Sequence, residues 1–565
     1  MPKNLVICLP LKKLKFMDLK GTMISWKYFL KNAEVLNKIP LTFCLRFGSY
    51  YCGFEQPICW IFKLKISFVF LELGLTSLII SNLSLFLSES TTEIMTSVSK
   101  HLQPLKEVNI GHGEDRISSL PDSLLIYILS FIPTKFAFRT TVLSKRWKDL
   151  WAFVPNLDFD GLMLDAPMQT PDYDKSFMNF VTKVFFFHRS PCIKRFHLKD
   201  GGGIDVSRVH TWISVLTARG VEEVDIEMYT RQDLILPQKL FCCKTLVVLK
   251  LINELKFNFP TSVYLPNLKI LHVSLHYPEN DITQKLFTSC PMLEDLHLRA
   301  NVVDESEMIF DVSSPALKKL KFHLITFLEC EHFDRGMKLS KNKIVVNAPV
   351  LEHLTVRDDY LPCYSLNNLS SLVRAYINVG YCCIELLGTK EHANKLFMLL
   401  EGITSVKFLS LAAATMGVLE FADDYKLPLY PNLTNLELAV HNNYSWRRLP
   451  DLLDCVPKLK TLTLLKDPSC DKNGVKYDFD WIELLREMPS CFSFLEEIRF
   501  AGFKGDDDEF KLLKYFLENT EALNMVRIDF CNLTRAKERK FFKSIRKFRT
   551  ASKLCEIDLF CDTKE

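Results

Sequence analysis

The residues with which this chain could do nucleophilic or metal chemistry are its thirteen histidines and eighteen cysteines, and their spacing assembles neither. The cysteines stand singly or as adjacent pairs, Cys242-Cys243 and Cys382-Cys383. No C-x2-C pair is matched by a second, so neither a zinc site nor a disulfide framework follows. The histidines are dispersed, and no Cys/His nucleophile pair can be argued from them. Phosphate-cradling and hydrolytic signatures (G-x-x-x-x-G-K-[ST], G-x-G-x-x-G after a strand, G-x-S-x-G, H-E-x-x-H) are missing. Gly201-Gly202-Gly203 follows His197–Asp200 as a plain turn. Asp506 to Asp508 have the composition of a cation site, but carboxylates also crowd helix N-termini. The apolar series Phe510, Leu513, Tyr515, Leu517 predicts such a helix. No catalytic residue, metal or cofactor is expected, and the chain reads as a non-enzymatic scaffold.

At 565 residues, 48% apolar and 24% charged, the chain can bury a core and has room for several domains. Its net charge of +4 predicts no broad nucleic-acid or acidic-lipid surface. Scattered cysteines suit reduced thiols in a cytoplasmic or nuclear protein. Five N-x-[ST] triplets, at Asn82, Asn368, Asn432, Asn443 and Asn532, are of a number that chance produces. Residues 1–94 form an atypical hydrophobic leader. Its run Ile66 to Leu87 holds one charge, Glu72, follows Lys63 and Lys65, and is long enough to span a bilayer. A membrane anchor is one reading of it. A buried or disordered extension is a second, and translated sequence upstream of a start at Met95 is the third.

After a polar linker, 95–114, the elements begin. Between Asp115 and Asp160, Leu124, Ile128 and Phe131 fall at i, i+4 and i+7 on one helix face. Pro121 and Asp122 suit that helix's first turn, and Pro133 ends it. Thr134 is placed to cap a second helix through Phe138 and Thr141. Ser144 is placed to cap a third through Trp147, Leu150 and Trp151. So small a helical module usually needs a partner or a neighbouring domain for stability.

This stretch resembles an F-box. The residues that carry the resemblance are Ile117, Leu120-Pro121-Asp122, Leu124, Ile128-Leu129, Ile132-Pro133-Thr134-Lys135, Val142-Leu143-Ser144-Lys145-Arg146-Trp147 and Leu150-Trp151. The resemblance implies docking onto a Skp1-type adaptor, and through it a cullin, in a ubiquitin ligase. Leu120, Pro121, Leu124, Ile128, Leu143, Trp147 and Trp151 would face the adaptor. Phe136 departs from the acidic residue usual at the start of the second helix, which forgoes a favourable dipole contact.

Beyond a turn region at Pro167 and Pro171, Ser176 could cap a helix whose apolar stripe is Phe177, Phe180, Val181 and Val184. From Cys192 a unit apolar-x-x-apolar-x-apolar then recurs. It runs from Ile193–Phe196–Leu198, through Leu246–Leu249–Leu251 and Leu351–Leu354–Val356, to Leu495–Ile498–Phe500. Units start roughly 21 to 36 residues apart, most within or just above the leucine-rich-repeat range, and several follow a proline, as in LPNLKILHV and CPMLEDLHL. Stacked, they would share one core and pair their short strands in a parallel sheet. The asparagine that usually closes such a turn is missing; Leu251 has Glu254 three residues on. Insertions after Phe322 and Ile377 make ECEHFDRGMK and GYCCIELLGTKEHANK candidates for partner contact.

The segment 491–560 resembles the FBD domain of a large plant family, on Leu495, Ile498, Phe500, Phe503, Gly505, Glu509, Tyr515, Leu517-Glu518-Asn519, Leu523, Arg549, Ala551-Ser552 and Cys555. Arg535 to Arg549, basic with interleaved Phe541, Phe542, Ile545 and Phe548, reads as an amphipathic helix. The expected architecture is α/β: a helical F-box at 115–160, an irregular leucine-rich-repeat solenoid at 161–490 and an FBD (α+β) segment. The expected function is target recognition for an SCF-type ubiquitin ligase. A repeat scaffold that binds proteins outside any ligase is the alternative, and a membrane-anchored receptor would rest on Ile66 to Leu87 alone.

Overall fold

The computed structural model of the chain divides into two units, Met1–Gly111 and His112–Glu565. In the first it describes four short strands, β1 (Leu5–Cys8), β2 (Lys15–Asp18), β3 (Met23–Ile24) and β4 (Leu41–Cys44), paired in the order β3-β2-β1-β4. In the second it describes Ile117 and residues 120–561, apart from 162–170, 201–203, 229–235, 253–262, 277, 279–286, 302–306, 326–340, 359–360, 381–389, 422–425, 441–447, 467–489, 504–506, 531–544 and 546–547. The Ile66 to Leu87 run, the insertion ECEHFDRGMK, Asp506 and most of the 535–549 run lie outside the described residues. Among the described residues no helix is long and apolar enough to cross a membrane.

The helical module contains two α-helices, α1 (Asp122–Leu129) and α2 (Thr134–Arg139), and 3-10 turns at Thr140–Val142 and Leu150–Phe153. The expected third α-helix from Ser144 is replaced by turns, and Ser144 offers its carbonyl rather than its hydroxyl, to the Trp147 N–H at 3.1 Å. Thr134 does not cap α2 either. Pro133 holds the N-cap position, and the Thr134 hydroxyl accepts the Asp158 N–H at 2.8 Å. The residue read as a helix start is a tie to the neighbouring strand.

The apolar units become strands because each carries two inward-facing residues at period two. In chain order these are β5 (Asn156–Asp160), β6 (Arg195–Asp200), β7 (Glu223–Met228), β8 (Val248–Ile252), β9 (Ile270–His276) and β10 (Asp295–Asn301). Then follow β11 (Ile309–Ser313), β12 (Lys319–Ile325), β13 (Lys343–Asn347), β14 (His353–Asp358), β15 (Cys363–Asn367) and β16 (Arg374–Val379). The last are β17 (Phe408–Leu411), β18 (Asn435–Val440), β19 (Thr461–Lys466), β20 (Glu497–Phe503), β21 (Met525–Phe530) and β22 (Glu556–Cys561). Fifteen of them form one sheet in sequence order from β5 to β22, leaving out β11, β13 and β15. Every pair in it is parallel, as in β9–β10, β10–β12 and β20–β21.

The first leucine of each unit sits ahead of its strand, and the prolines explain how. The Leu268 N–H donates to the Leu265 carbonyl at 3.2 Å, Leu293 to Cys290 at 3.2 Å and Leu459 to Val456 at 3.1 Å. Pro266, Pro291 and Pro457 occupy the second position of these four-residue turns, where a fixed φ near −65° is already the required one. Both ends of each turn are buried, so it plugs the core while it aims the strand.

Helices α3 (Pro171–Phe187), α4 (Val206–Ala218), α5 (Lys390–Glu401), α6 (Ala413–Leu419), α7 (Leu449–Asp454) and α8 (Asp507–Asn519) occupy connections between sheet strands. α3 begins at Pro171, ahead of Ser176, because proline is preorganised for a first helical turn. Residues 390–395 of the second insertion form the start of α5, with His392 and Lys395 buried, so this part builds the core. The unforeseen feature is that β11, β13 and β15 form their own parallel sheet, the counterpart of a helix in three successive repeats. Its Phe310 meets Phe322 of β12 with ring centroids 6.0 Å apart. One unit does carry the asparagine expected to be missing: Asn301, three residues after Leu298, is buried.

The chain's last strands continue the same sheet, with α8 starting at Asp507 as the carboxylate-rich sequence implies. At Gly502 the chain takes φ +77° where the β20–β21 register shifts, and a Cβ there would sit 2.9 Å from the Lys466 carbonyl. Glycine meets both demands at once.

Candidate functional site

The helix DSLLIYIL is apolar on two sides, so only one side can face the protein's own core. Leu125 and Leu129 are buried. The opposite side presents Leu124 at 47% exposure and Tyr127 at 62%, with Phe131 just beyond also exposed. The Tyr127 and Phe131 rings meet edge-to-face at 4.8 Å. Val142, 81% exposed, and Leu143 add apolar surface from the following turn. Of the seven residues expected at the adaptor, Pro121, Leu124 and Leu143 are exposed, and Leu120 and Ile128 are half-buried. Trp147 and Trp151 are elsewhere, at 8% and 7% exposure inside the module. An indole is too large to leave in water when a core lies beside it. Tyr127, Phe131 and Val142 were not among the seven; the signal was the excess of apolar residues on α1 over what one face can hold.

Arg146 brings the two motif pieces together. Its Nε and Nη2 donate to Asp122 Oδ1 at 2.9 and 2.7 Å, and Nη2 also reaches the Leu120 carbonyl. Asp122 therefore ties the start of α1 to the turn that carries Leu143, besides suiting the helix dipole. Phe136, the departure from the F-box pattern, is half-buried under the Arg139 guanidinium, 5.9 Å above its ring.

A line of aromatic contacts joins this module to the repeats. Phe138 meets Trp151 at 5.2 Å and Phe180 at 6.4 Å; Phe159 meets Phe180 at 6.0 Å and Phe196 at 6.0 Å. Beside them His188 Nε2 lies 2.8 Å from the Val154 carbonyl, and Arg219 Nη1 lies 3.0 Å from Nδ1. Nε2 must then carry the proton and Nδ1 accept. Burial first, opposed by the Val154 hydrogen bond and helped by the Arg219 charge, holds His188 below its ordinary pKa. With the Thr134–Asp158 and Asn156–Ser130 hydrogen bonds, these contacts fix the module against β5 and α3.

The second surface is the open face of the long sheet, where strand register lines up one polar residue per strand. At its beginning Asp158, His197, Asp225 and Lys250 are successive neighbours. Charges here are paired: His197 with Asp158 at 2.8 Å, Lys199 with Glu227 at 2.9 Å and Lys250 with Asp225 at 3.4 Å. Burial would lower the His197 pKa, but the Asp158 hydrogen bond and the Asp158 and Asp225 charges outweigh it and raise it. The far end is similar, with Arg499–Asp529 at 2.6 Å and Arg527–Glu497 at 3.4 Å. The middle differs. His297 and Lys321 are neighbours in one row, and Arg299, His323 and Arg357 in the next. Burial, then Lys321, His272 and His323, push His297 down to about 3. Burial, then Arg299, Arg357 and Lys321, push His323 down to about 4.

Cys290 and Cys491 are buried, and burial pushes both thiols up to about 12. Such thiols are poor nucleophiles at neutral pH. Among the described residues no cluster of His, Cys, Asp and Glu could hold a metal ion.

Comparison with known families matches an F-box domain at residues 117–158, LRR repeats of the FBD-associated F-box protein At5g56370 type at 209–380, and FBD at 485–528. Among curated proteins of Arabidopsis thaliana, the chain is 36% identical to F-box/LRR-repeat protein At4g14103, over 63% of this chain and 92% of the relative. It is 33% identical to F-box/LRR-repeat protein At4g14096, over 80% and 97%. To F-box/FBD/LRR-repeat protein At5g22660 it is 30% identical, over 79% and 97%.

Proposed function

The chain belongs to the plant family of F-box/leucine-rich-repeat proteins with a C-terminal FBD, and from this premise we propose that it is the target-recognition subunit of an SCF-type ubiquitin ligase. A substrate-adaptor role in general follows from its F-box and repeats. The finer reading assigns the apolar front of the F-box to a Skp1-type adaptor, and through it to cullin, and the repeat sheet to a target protein. The chain itself is non-catalytic in this reading. It works by proximity, holding the target near a ubiquitin-charged partner and so raising its effective concentration.

The observation that carries the reading is the exposed apolar series Leu124, Tyr127, Phe131 and Val142, next to Leu120 and Pro121 through the Arg146 clamp. A protein gains nothing by exposing this much hydrocarbon unless a partner covers it. The aromatic joint to the repeats supports the mechanism, because a stiff connection confines the target to a small volume around the acceptor site. The free thiols suit a reducing compartment, so the proposed location is the cytoplasm or nucleus.

The test is capture of the full chain by a purified Skp1-type adaptor, against Leu120→Ala/Pro121→Ala and Leu124→Glu/Tyr127→Glu. Retention of the unchanged protein and loss of both variants, each with native circular dichroism, is the expected result. Failure of the unchanged protein to bind would sink the ligase reading and leave the repeats as a free-standing protein-binding surface.

A further inference from the structure

The charges on the open sheet face are unevenly paired. At both ends cations and carboxylates on neighbouring strands neutralise each other, as in Lys199–Glu227 and Arg499–Asp529. Across β10, β12 and β14, Arg299, Lys321 and Arg357 have no carboxylate within ion-pair distance among the described residues. Arg357 instead stacks on Tyr376, 5.6 Å from its ring centroid. Among the described residues, the one carboxylate on this face of β10, β12 and β14, Asp295, is already engaged by His272 Nε2 at 3.3 Å. Against burial, that hydrogen bond and the nearby cations hold its carboxyl below its ordinary pKa.

We propose that this patch is the docking site for an acidic, extended segment of the target protein, with Arg299, Lys321 and Arg357 as its principal contacts. The proposal rests on the reading of the repeats as the target-binding part. Gathering like charges on adjacent strands costs stability in the free protein, and a bound anion relieves that cost. Geometry selects the anion's form. Arg299, His323 and Arg357 lie in one row on three adjacent strands, so the two arginine Cα atoms are about 10 Å apart. In an extended segment of polyproline II geometry, residues i and i+3 lie on one side about 9 Å apart, so two carboxylates so spaced can meet both guanidiniums. A nucleic acid is disfavoured because the flanks are not basic. Glu223 and Glu227 on one side, and Glu437 and Glu497 on the other, would face its phosphates. Tyr376, with its ring under Arg357, gives the segment an apolar neighbour at the edge of the patch.

The experiment measures binding of a fluorescent decaglutamate peptide to the full chain, beside a decalysine peptide and a single-stranded ten-nucleotide DNA. The variants are Lys321→Glu/Arg357→Glu and the milder Lys321→Gln/Arg357→Gln, with Arg195→Gln, from the paired end of the face, as control. Each protein is also tested for capture by the Skp1-type adaptor, which reports folding and the F-box reading separately. The unchanged protein and the control should bind decaglutamate alike, and the charge-reversed variant should lose about tenfold or more through lost attraction and new repulsion. All should keep adaptor capture. Carboxylates over the patch should also raise the titration midpoints of His297 and His323, read by NMR. Adaptor capture without decaglutamate binding would overturn the docking site and leave the ligase reading standing. Tighter binding of the DNA, or equal peptide binding by the charge-reversed variant, would overturn it too. Loss of both peptide binding and adaptor capture in the unchanged protein would overturn both readings.

Discussion

Along the front of the F-box, Leu124, Tyr127 and Phe131 offer hydrocarbon to water, while the open face of the repeat sheet offers imidazoles, ammoniums, guanidiniums and carboxylates on many of its strands. Both surfaces stand on the same kind of buried scaffold. They differ in what a partner must supply. An apolar front needs only a matching apolar groove, and its affinity grows with the area covered. A polar face gains little from contact alone, since each buried charge must be paired, but it rejects partners whose charges do not match. The first suits one constant partner. The second suits selection among many.

The largest effect should come from the residues that separate these surfaces. Trp151→Ala removes the indole that Phe138 packs on, and should cost about 3–5 kcal/mol in urea unfolding. Leu124→Ala, on the exposed front, should cost well under about 1 kcal/mol. If the two cost the same, the division of the module into a buried interior and an exposed front is wrong. Next is Thr134→Val, which leaves the Asp158 N–H without its hydroxyl acceptor. About 1–3 kcal/mol of stability should be lost, along with protease resistance between the F-box and β6. A smaller effect is expected at Arg146→Ala. Its pair with Asp122 is partly exposed and should contribute about 0.2–1 kcal/mol, so this variant should weaken adaptor capture more than stability.

The smallest effect separates the two surfaces by pH. His188, His297 and His323 all have pKa values below the ordinary one, the last two at about 3 and about 4. In the unfolded chain they titrate near 6.5, so between these values the unfolded state binds more protons. Stability contributed by their neutral forms is present at neutral pH and is lost as pH falls below about 6.5. Melting temperature should therefore fall from pH 7 to pH 5, and His297→Gln/His323→Gln should fall less. An unchanged slope in that double variant would mean that neither burial nor the patch cations lower the pKa of these rings.

The apolar-x-x-apolar-x-apolar units were legible in the chain, and each one becomes a strand of the long sheet. The prolines ahead of them were visible as well, because a turn residue acts within four positions. The carboxylate-rich start of α8 was equally local. Three things were not legible. DSLLIYIL carries apolar residues on both sides, so periodicity could not say that Leu125 turns inward and Leu124 outward. Trp147 and Trp151 lie within a motif whose resemblance placed them at the surface, yet the neighbouring core took them. Lastly, β11, β13 and β15 replace helices in three repeats, where short apolar runs suit either element.

What the sequence determined by itself is everything set within a few residues: strand periodicity, turn positions, the order of F-box, repeats and FBD, and the lack of a catalytic motif. What only the tertiary structure decided is which side chains become neighbours across strands. Arg299, Lys321, His323 and Arg357 come from three separate repeats and meet because parallel register places them side by side. The local pattern of each unit would be satisfied by other polar residues at those positions. Their shared charge exists only once the strands are stacked, because register is set by the packing of the leucines beneath them.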